Sequence, residues 1–179
     1  MAYSSELLGI YAAVATPAVI VQALAGYIYS PLLGPIARAW AMRNRTPIVS
    51  LIKKFIAGLA LIIIGSVAIF HVFGFYLLNM VYGFEVARYV TLMPLILLST
   101  GVTAAMYFCI DLLVVMGGYR LSCIASLVSL ISSFCITPWC VEQFDMNGVS
   151  LAITVSYLFG IAFALFVIRL FLLRRTNCD

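Results

Sequence analysis

One carboxylate, Asp111, stands inside a long apolar run, Phe-Cys-Ile-Asp-Leu-Leu-Val-Val-Met-Gly-Gly at 108–118. An ionisable group in an apolar helix is costly and by default marks a functional site. For a carboxylate the chemistry is proton or cation binding, or contact with a polar solute. Its place shortly before Gly117-Gly118 equally suits wetting from an aqueous cavity or pairing with Arg120. His71, in Ile-Phe-His-Val-Phe-Gly, can titrate near neutrality, although a lone histidine among aromatics more often hydrogen-bonds a neighbour. Arg88 with Glu85 suits either a sugar- or phosphate-binding mouth or a local ion pair at i, i+3. Ser122, Ser126, Ser129, Ser132 and Ser133 recur at spacings that put most of them on one helix face. Such a face is either a polar cavity wall or a close-packing surface. The candidates for cavity or substrate contact are Asp111, Gln22, Arg88, Ser126, Ser129 and Ser133. No nucleophile with its base, phosphate-cradling glycine loop or metal-ligand spacing occurs, so no catalytic activity, metal or cofactor is expected. Cys109, Cys123 and Cys135 read as small packing residues.

The elements that must hold these groups follow from composition. Of the 179 residues, 65% are apolar and 9% charged, against about 45–50% and about 25% in a soluble domain. So few charged groups cannot cover a water-facing surface, and the chain reads as an integral membrane protein. Its charges are clustered, leaving five charge-free runs, Leu7–Ala37, Phe55–Phe84, Tyr89–Ile110, Leu121–Val141 and Met146–Ile168. The shortest of them has 21 residues, and about 20 in a helix cross a ~30 Å hydrocarbon core. Unbroken runs such as Leu61-Ile62-Ile63-Ile64 exclude the alternation of barrel strands. The expectation is an all-α bundle over 1–179 with about five transmembrane helices, near 7–30, 55–80, 89–116, 119–140 and 148–172. Pro17, Pro94 and Pro138 would interrupt three of them. The 38–54 segment, with Trp40, Met42 and several bases, suits either an interfacial helix on anionic head groups or a plain basic loop.

Alternating the connections puts Arg38, Arg43, Arg45, Lys53, Lys54, Arg120, Arg169, Arg174 and Arg175 on one side and only Arg88 on the other. The positive-inside rule makes the nine-base side cytoplasmic, with the N-terminus outside and the C-terminus inside. The net charge of +4 is thus an orientation signal; nucleic acid is not an expected partner, because no soluble surface gathers the bases.

The order of short motifs resembles a known family. Leu-Gly-Ile-Tyr-Ala-Ala (8–13) opens a helix that ends Tyr-Ser-Pro-Leu-Leu (29–33), and a second apolar helix ends Val-Tyr-Gly-Phe-Glu (81–85). The next closes in Gly-Gly-Tyr-Arg (117–120), and Asn-Gly-Val-Ser-Leu-Ala-Ile-Thr-Val-Ser-Tyr (147–157) opens the last, which stops at Arg174-Arg175. Across nearly the whole chain this is similar to the C-terminal half of polysaccharide (O-antigen, Wzx-type) flippases of the MATE-like multidrug/oligosaccharidyl-lipid/polysaccharide exporter superfamily. Gly83, Gly117, Arg120 and Gly148 are the motif positions, and Asp145 stands where the family often has glycine. The resemblance implies a bacterial inner-membrane protein that moves an undecaprenyl-diphosphate-linked oligosaccharide between leaflets in polysaccharide biosynthesis. It also implies a partner, a missing N-terminal half or another membrane subunit, across a shared cavity where bases would balance the diphosphate. Two other outcomes stand beside it, a cation-coupled small-molecule exporter with Asp111 as the coupling group and a non-transporting scaffold subunit.

Overall fold

The structure, a computed structural model, describes residues 5–42 and 45–174. Arg43 and Arg175, two of the bases that set the expected orientation, lie outside them. Four helices are long and apolar enough to cross a membrane, and no strand occurs among the described residues. Helix α1 spans Ser5–Ala41 and α2 spans Arg45–Tyr82; a single turn, α3 (Phe84–Ala87), and a 3-10 turn (Val90–Leu92) lead into α4 (Met93–Val115) and α5 (Tyr119–Arg174).

Helix α5 is not one straight rod. Asp145 has φ 49° and ψ −128°, outside helical space. Beyond it the chain returns along itself. A Cβ on Gly148 would collide with the Cys140 carbonyl, and one on Gly160 would collide with Ser129 Oγ. In a straight helix residues 129 and 160 would stand about 46 Å apart at 1.5 Å per residue. The two limbs, 119–144 and 146–174, therefore form a helical hairpin that leaves no room for a side chain at Gly148. With α1, α2 and α4 they make five rods.

Several sequence expectations change. The 38–54 segment is neither an interfacial helix nor a loop, because α1 continues to Ala41 and α2 begins at Arg45. Pro47 falls in the first turn of α2, where a helix needs no N–H donor, so it starts the helix instead of breaking it. Ile48 and Ala39 are buried, and the half-buried Trp40 has its ring 6.4 Å from that of Phe171, so both helix ends pack into the bundle. Pro94 likewise sits at the start of α4 and interrupts nothing. Pro17, Pro31 and Pro35 are all inside α1, which runs past the expected end near residue 30. Of the cysteines, Cys109 and Cys140 are buried packing residues, whereas Cys123 and Cys135 are exposed on α5.

The rods are joined by backbone devices legible in the residues. The α4 end has the Schellman pattern, with Gly117 N–H donating to Val114 O at 2.9 Å and Gly118 N–H to Leu113 O at 2.8 Å. Gly117 takes the left-handed backbone this needs, at φ +83°. Gly118 admits the Phe171 ring, which would stand 2.9 Å from a Cβ there.

Helix α4 is the centre of the bundle and packs against α1, α2 and α5. Toward the Gly117 end, Phe55 and Phe108 stack with centroids 4.0 Å apart, and Tyr29 meets both edge-on. Toward the Asp145 end a second cluster joins Val14, Ala18 and Val21 of α1 to Leu78, Met93, Ile96 and Leu97. The second limb of α5 approaches closely because Ala152, Ser156, Gly160 and Ala164 form a stripe of small buried residues at every fourth position. Ser156 Oγ has no hydrogen-bond partner; its small volume, not its hydroxyl, fits it to this stripe.

Candidate functional site

Asp111 projects from α4 about one turn before its end and is half-buried. Its partner is Tyr29 of α1, whose hydroxyl donates a hydrogen bond to the carboxylate. No ion pair with Arg120 forms; Arg120 is exposed at the start of α5. Tyr29 is fixed from behind by the Phe55–Phe108 stack, so the Asp111 contact ties α1 to α4 through an ordered side chain.

Tyr107 lies four residues before Asp111, on the same face of α4. It is within electrostatic range of both Tyr29 and Tyr157, the latter on the second limb of α5. It also borders two clefts. One, of about 430 Å³, lies between α1 and α4 and is lined by Gln22, Tyr29, Ala104 and Tyr107 among others. The other, of about 240 Å³, lies between α4 and both limbs of α5 and is lined by Met106, Tyr107, Ser126, Ser129, Ser133 and Tyr157 among others. Leu130 and Ser133 continue into a third cleft of about 540 Å³, with Thr137, Pro138 and Glu142. Seven tyrosine, serine and amide groups from four rods thereby join a strip that runs from Asp111 toward Glu142.

The hydroxyls of the strip are partly satisfied by their own helix. Ser126 donates to Ser122 O at 3.2 Å, Ser129 to Ala125 O at 3.3 Å, and Ser133 Oγ lies 3.4 Å from Thr137 Oγ1. A hydroxyl bonded back to its own helix can sit in hydrocarbon at low cost and still accept a hydrogen bond from a passing group. None of the three clefts is lined by Lys or Arg. The bases expected to balance a diphosphate are instead at the Gly117 end of the bundle, where Arg120 and Arg169 are exposed.

The structure thus brings together five of the sequence candidates, Asp111, Gln22, Ser126, Ser129 and Ser133. Arg88 is elsewhere. Its guanidinium lies 5.6 Å over the Phe84 ring, a cation–π contact in place of the expected ion pair with Glu85. His71 is exposed on α2 in an apolar groove with Ile63, Ile64 and Val67, apart from the strip. Gly83, with φ +86°, Gly117 and Gly148 serve chain reversal and close approach, not the strip. The tyrosines were missed by sequence reasoning. Tyr107 had a usable signal in its i, i+4 spacing to Asp111, whereas Tyr29 and Tyr157 come from other rods and had none. Among the described residues no group of three His, Cys, Asp or Glu side chains is placed to hold a metal. No family model matches the chain, and neither does any curated protein or solved structure compared with it.

Proposed function

We propose that this chain is a translocation subunit of a multi-pass membrane transporter, with five membrane-crossing rods and the Asp111–Glu142 strip facing the pathway. The observation that carries this reading is the continuity of the strip, three clefts linked through Tyr107, Leu130 and Ser133 on a bundle whose other faces are apolar. Polar groups at membrane depth belong against protein or in a water-filled cavity, since hydrocarbon satisfies none of them. Together with the motif order, this favours the C-terminal part of a lipid-linked oligosaccharide flippase of the bacterial inner membrane. Its polar head group would travel along the strip, its diphosphate balanced by bases of the N-terminal half, while its polyprenyl tail stays in lipid. The second reading, a cation-coupled small-molecule exporter, draws on one feature: the strip has carboxylates, Asp111 and Glu142, and no base.

The test has two arms. Cysteine labelling at Asn44 and Asp145 should report opposite sides of the membrane, with Asn44 cytoplasmic; one shared side removes the five-crossing reading. In a flippase-null strain the chain should restore export only with a matching N-terminal half. Complementation by the 179 residues alone overturns the shared-cavity proposal. In the complemented strain, loss of export on Asp111→Asn with normal insertion would assign Asp111 a role in transport, and unchanged export would leave it a structural one.

A further inference from the structure

We propose that the strip is a track for phospholipid head groups, so that this bundle by itself scrambles phospholipid between leaflets. The inference deepens the reading of the strip as a translocation face and rests on it. A lipid crosses slowly because its polar head must enter hydrocarbon, where each unsatisfied group costs a few kcal/mol. A groove relieves this if it offers polar groups at intervals along its length, is open sideways to the tails, and is long enough. The strip meets each condition.

Its length is set by the first limb of α5. Ser126, Ser133, Thr137 and Glu142 lie along one limb, and sixteen residues at 1.5 Å give about 24 Å of a ~30 Å core. Asp111 and Tyr29 extend the polar surface toward the Gly117 end. The smallest of the three clefts, about 240 Å³, has room for several waters at ~30 Å³ each. Sideways access follows from the flanks. Leu127, Leu130, Ile131 and Phe134 are 52–75% exposed beside the serines on the same limb, and Val19 is 63% exposed at the α1 edge. Acyl chains can lie on these residues while the head group occupies the hydroxyls.

Charge selects the head group. With a carboxylate toward each end, tyrosine rings between them and no base in any cleft, the strip suits a zwitterionic head that brings its own cation. An anionic head finds no counter-charge there.

The experiment uses the purified chain in vesicles containing tail-labelled phosphatidylcholine or phosphatidylglycerol, with label reached from outside bleached by dithionite. Bleaching should run past the outer-leaflet share to nearly all of the phosphatidylcholine, and about tenfold more slowly for phosphatidylglycerol. Encapsulated water-soluble label should stay protected. The combined Ser126→Leu, Ser133→Leu, Thr137→Leu variant should slow the phosphatidylcholine phase roughly tenfold, while His71→Leu, outside the strip, should leave it unchanged. Wild-type rates no faster than protein-free vesicles overturn the proposal, as does an unaltered rate in a folded triple variant. If that variant fails to fold, equal rates for the two head groups overturn it instead. Scrambling lost while complementation with the N-terminal half succeeds rejects this inference alone. Scrambling retained while complementation fails rejects the flippase assignment and leaves the track.

Discussion

Helix α2 is the most apolar of the four long helices, yet only 6% of its most apolar stretch is buried; α4 is less apolar, and half of its stretch is buried. In water the order would be the reverse. In lipid, apolar surface gains nothing by being buried, because the tails are as apolar as leucine, and packing falls to helices that permit close approach. Helix α4 has Ser99, Thr100, Gly101, Thr103, Ala104 and Ala105 in sequence neighbourhood, with Ser99, Thr100 and Thr103 bonded back to their own helix. Helix α2 turns Leu61, Ile64, Ile69, Val72 and Phe73 outward. In this protein small and hydroxyl residues mark the helix at the centre, and the polar strip borders that helix for the same reason.

The contrast can be broken most sharply with two phenylalanines. Phe108 of α4 is 3% exposed and stacked on Phe55, whereas Phe73 of α2 is 57% exposed. Phe108→Ala should cost about 3–5 kcal/mol in reversible unfolding from mixed micelles. Phe73→Ala should cost less than about 0.5 kcal/mol. Similar values at the two sites would abolish the distinction between a lipid-facing α2 and a central α4. A smaller effect is expected at the α5 hairpin. Asp145 adopts a backbone that a β-branched residue resists, so Asp145→Val should destabilise by about 1–3 kcal/mol. Asp145→Gly should keep the fold, and a tolerated valine would show that the reversal does not depend on this conformation. A smaller loss than at the hairpin is expected within the strip itself. Tyr29→Phe removes the hydrogen bond to Asp111 and leaves the aromatic packing, so it should cost about 0.5–1 kcal/mol in the same assay. No loss would mean that the bond does not tie α1 to α4.

Much of this was legible in the residues. The scarcity of charge and the five long apolar runs announce a helical membrane bundle, because only helices and closed barrels satisfy the backbone in hydrocarbon and unbroken apolar runs do not suit barrel strands. The serines of α5 announce one polar face by their spacing, and Gly117-Gly118 announces a helix end by the backbone only glycine takes easily. The prolines misled, because a proline's effect depends on its place in a helix: Pro94 falls in a first turn, and Pro17 and Pro138 lie within helices that continue past them. The basic 38–54 segment misled because charge density signals an interface without saying whether the helices on either side stop short of it.

What the sequence by itself determined is the solvent, the helical class and the list of polar groups held at membrane depth, since each follows from residue type and local spacing. Which of those groups meet was decided only by tertiary structure. Asp111 has Arg120 nine residues away in sequence but bonds Tyr29, eighty-two residues away. Ser129 faces Gly160 because the chain doubles back at Asp145. Helix crossings in lipid are set by the mutual fit of small residues and hydroxyls on different rods, and that fit is a property of pairs of surfaces, which no single stretch of sequence contains.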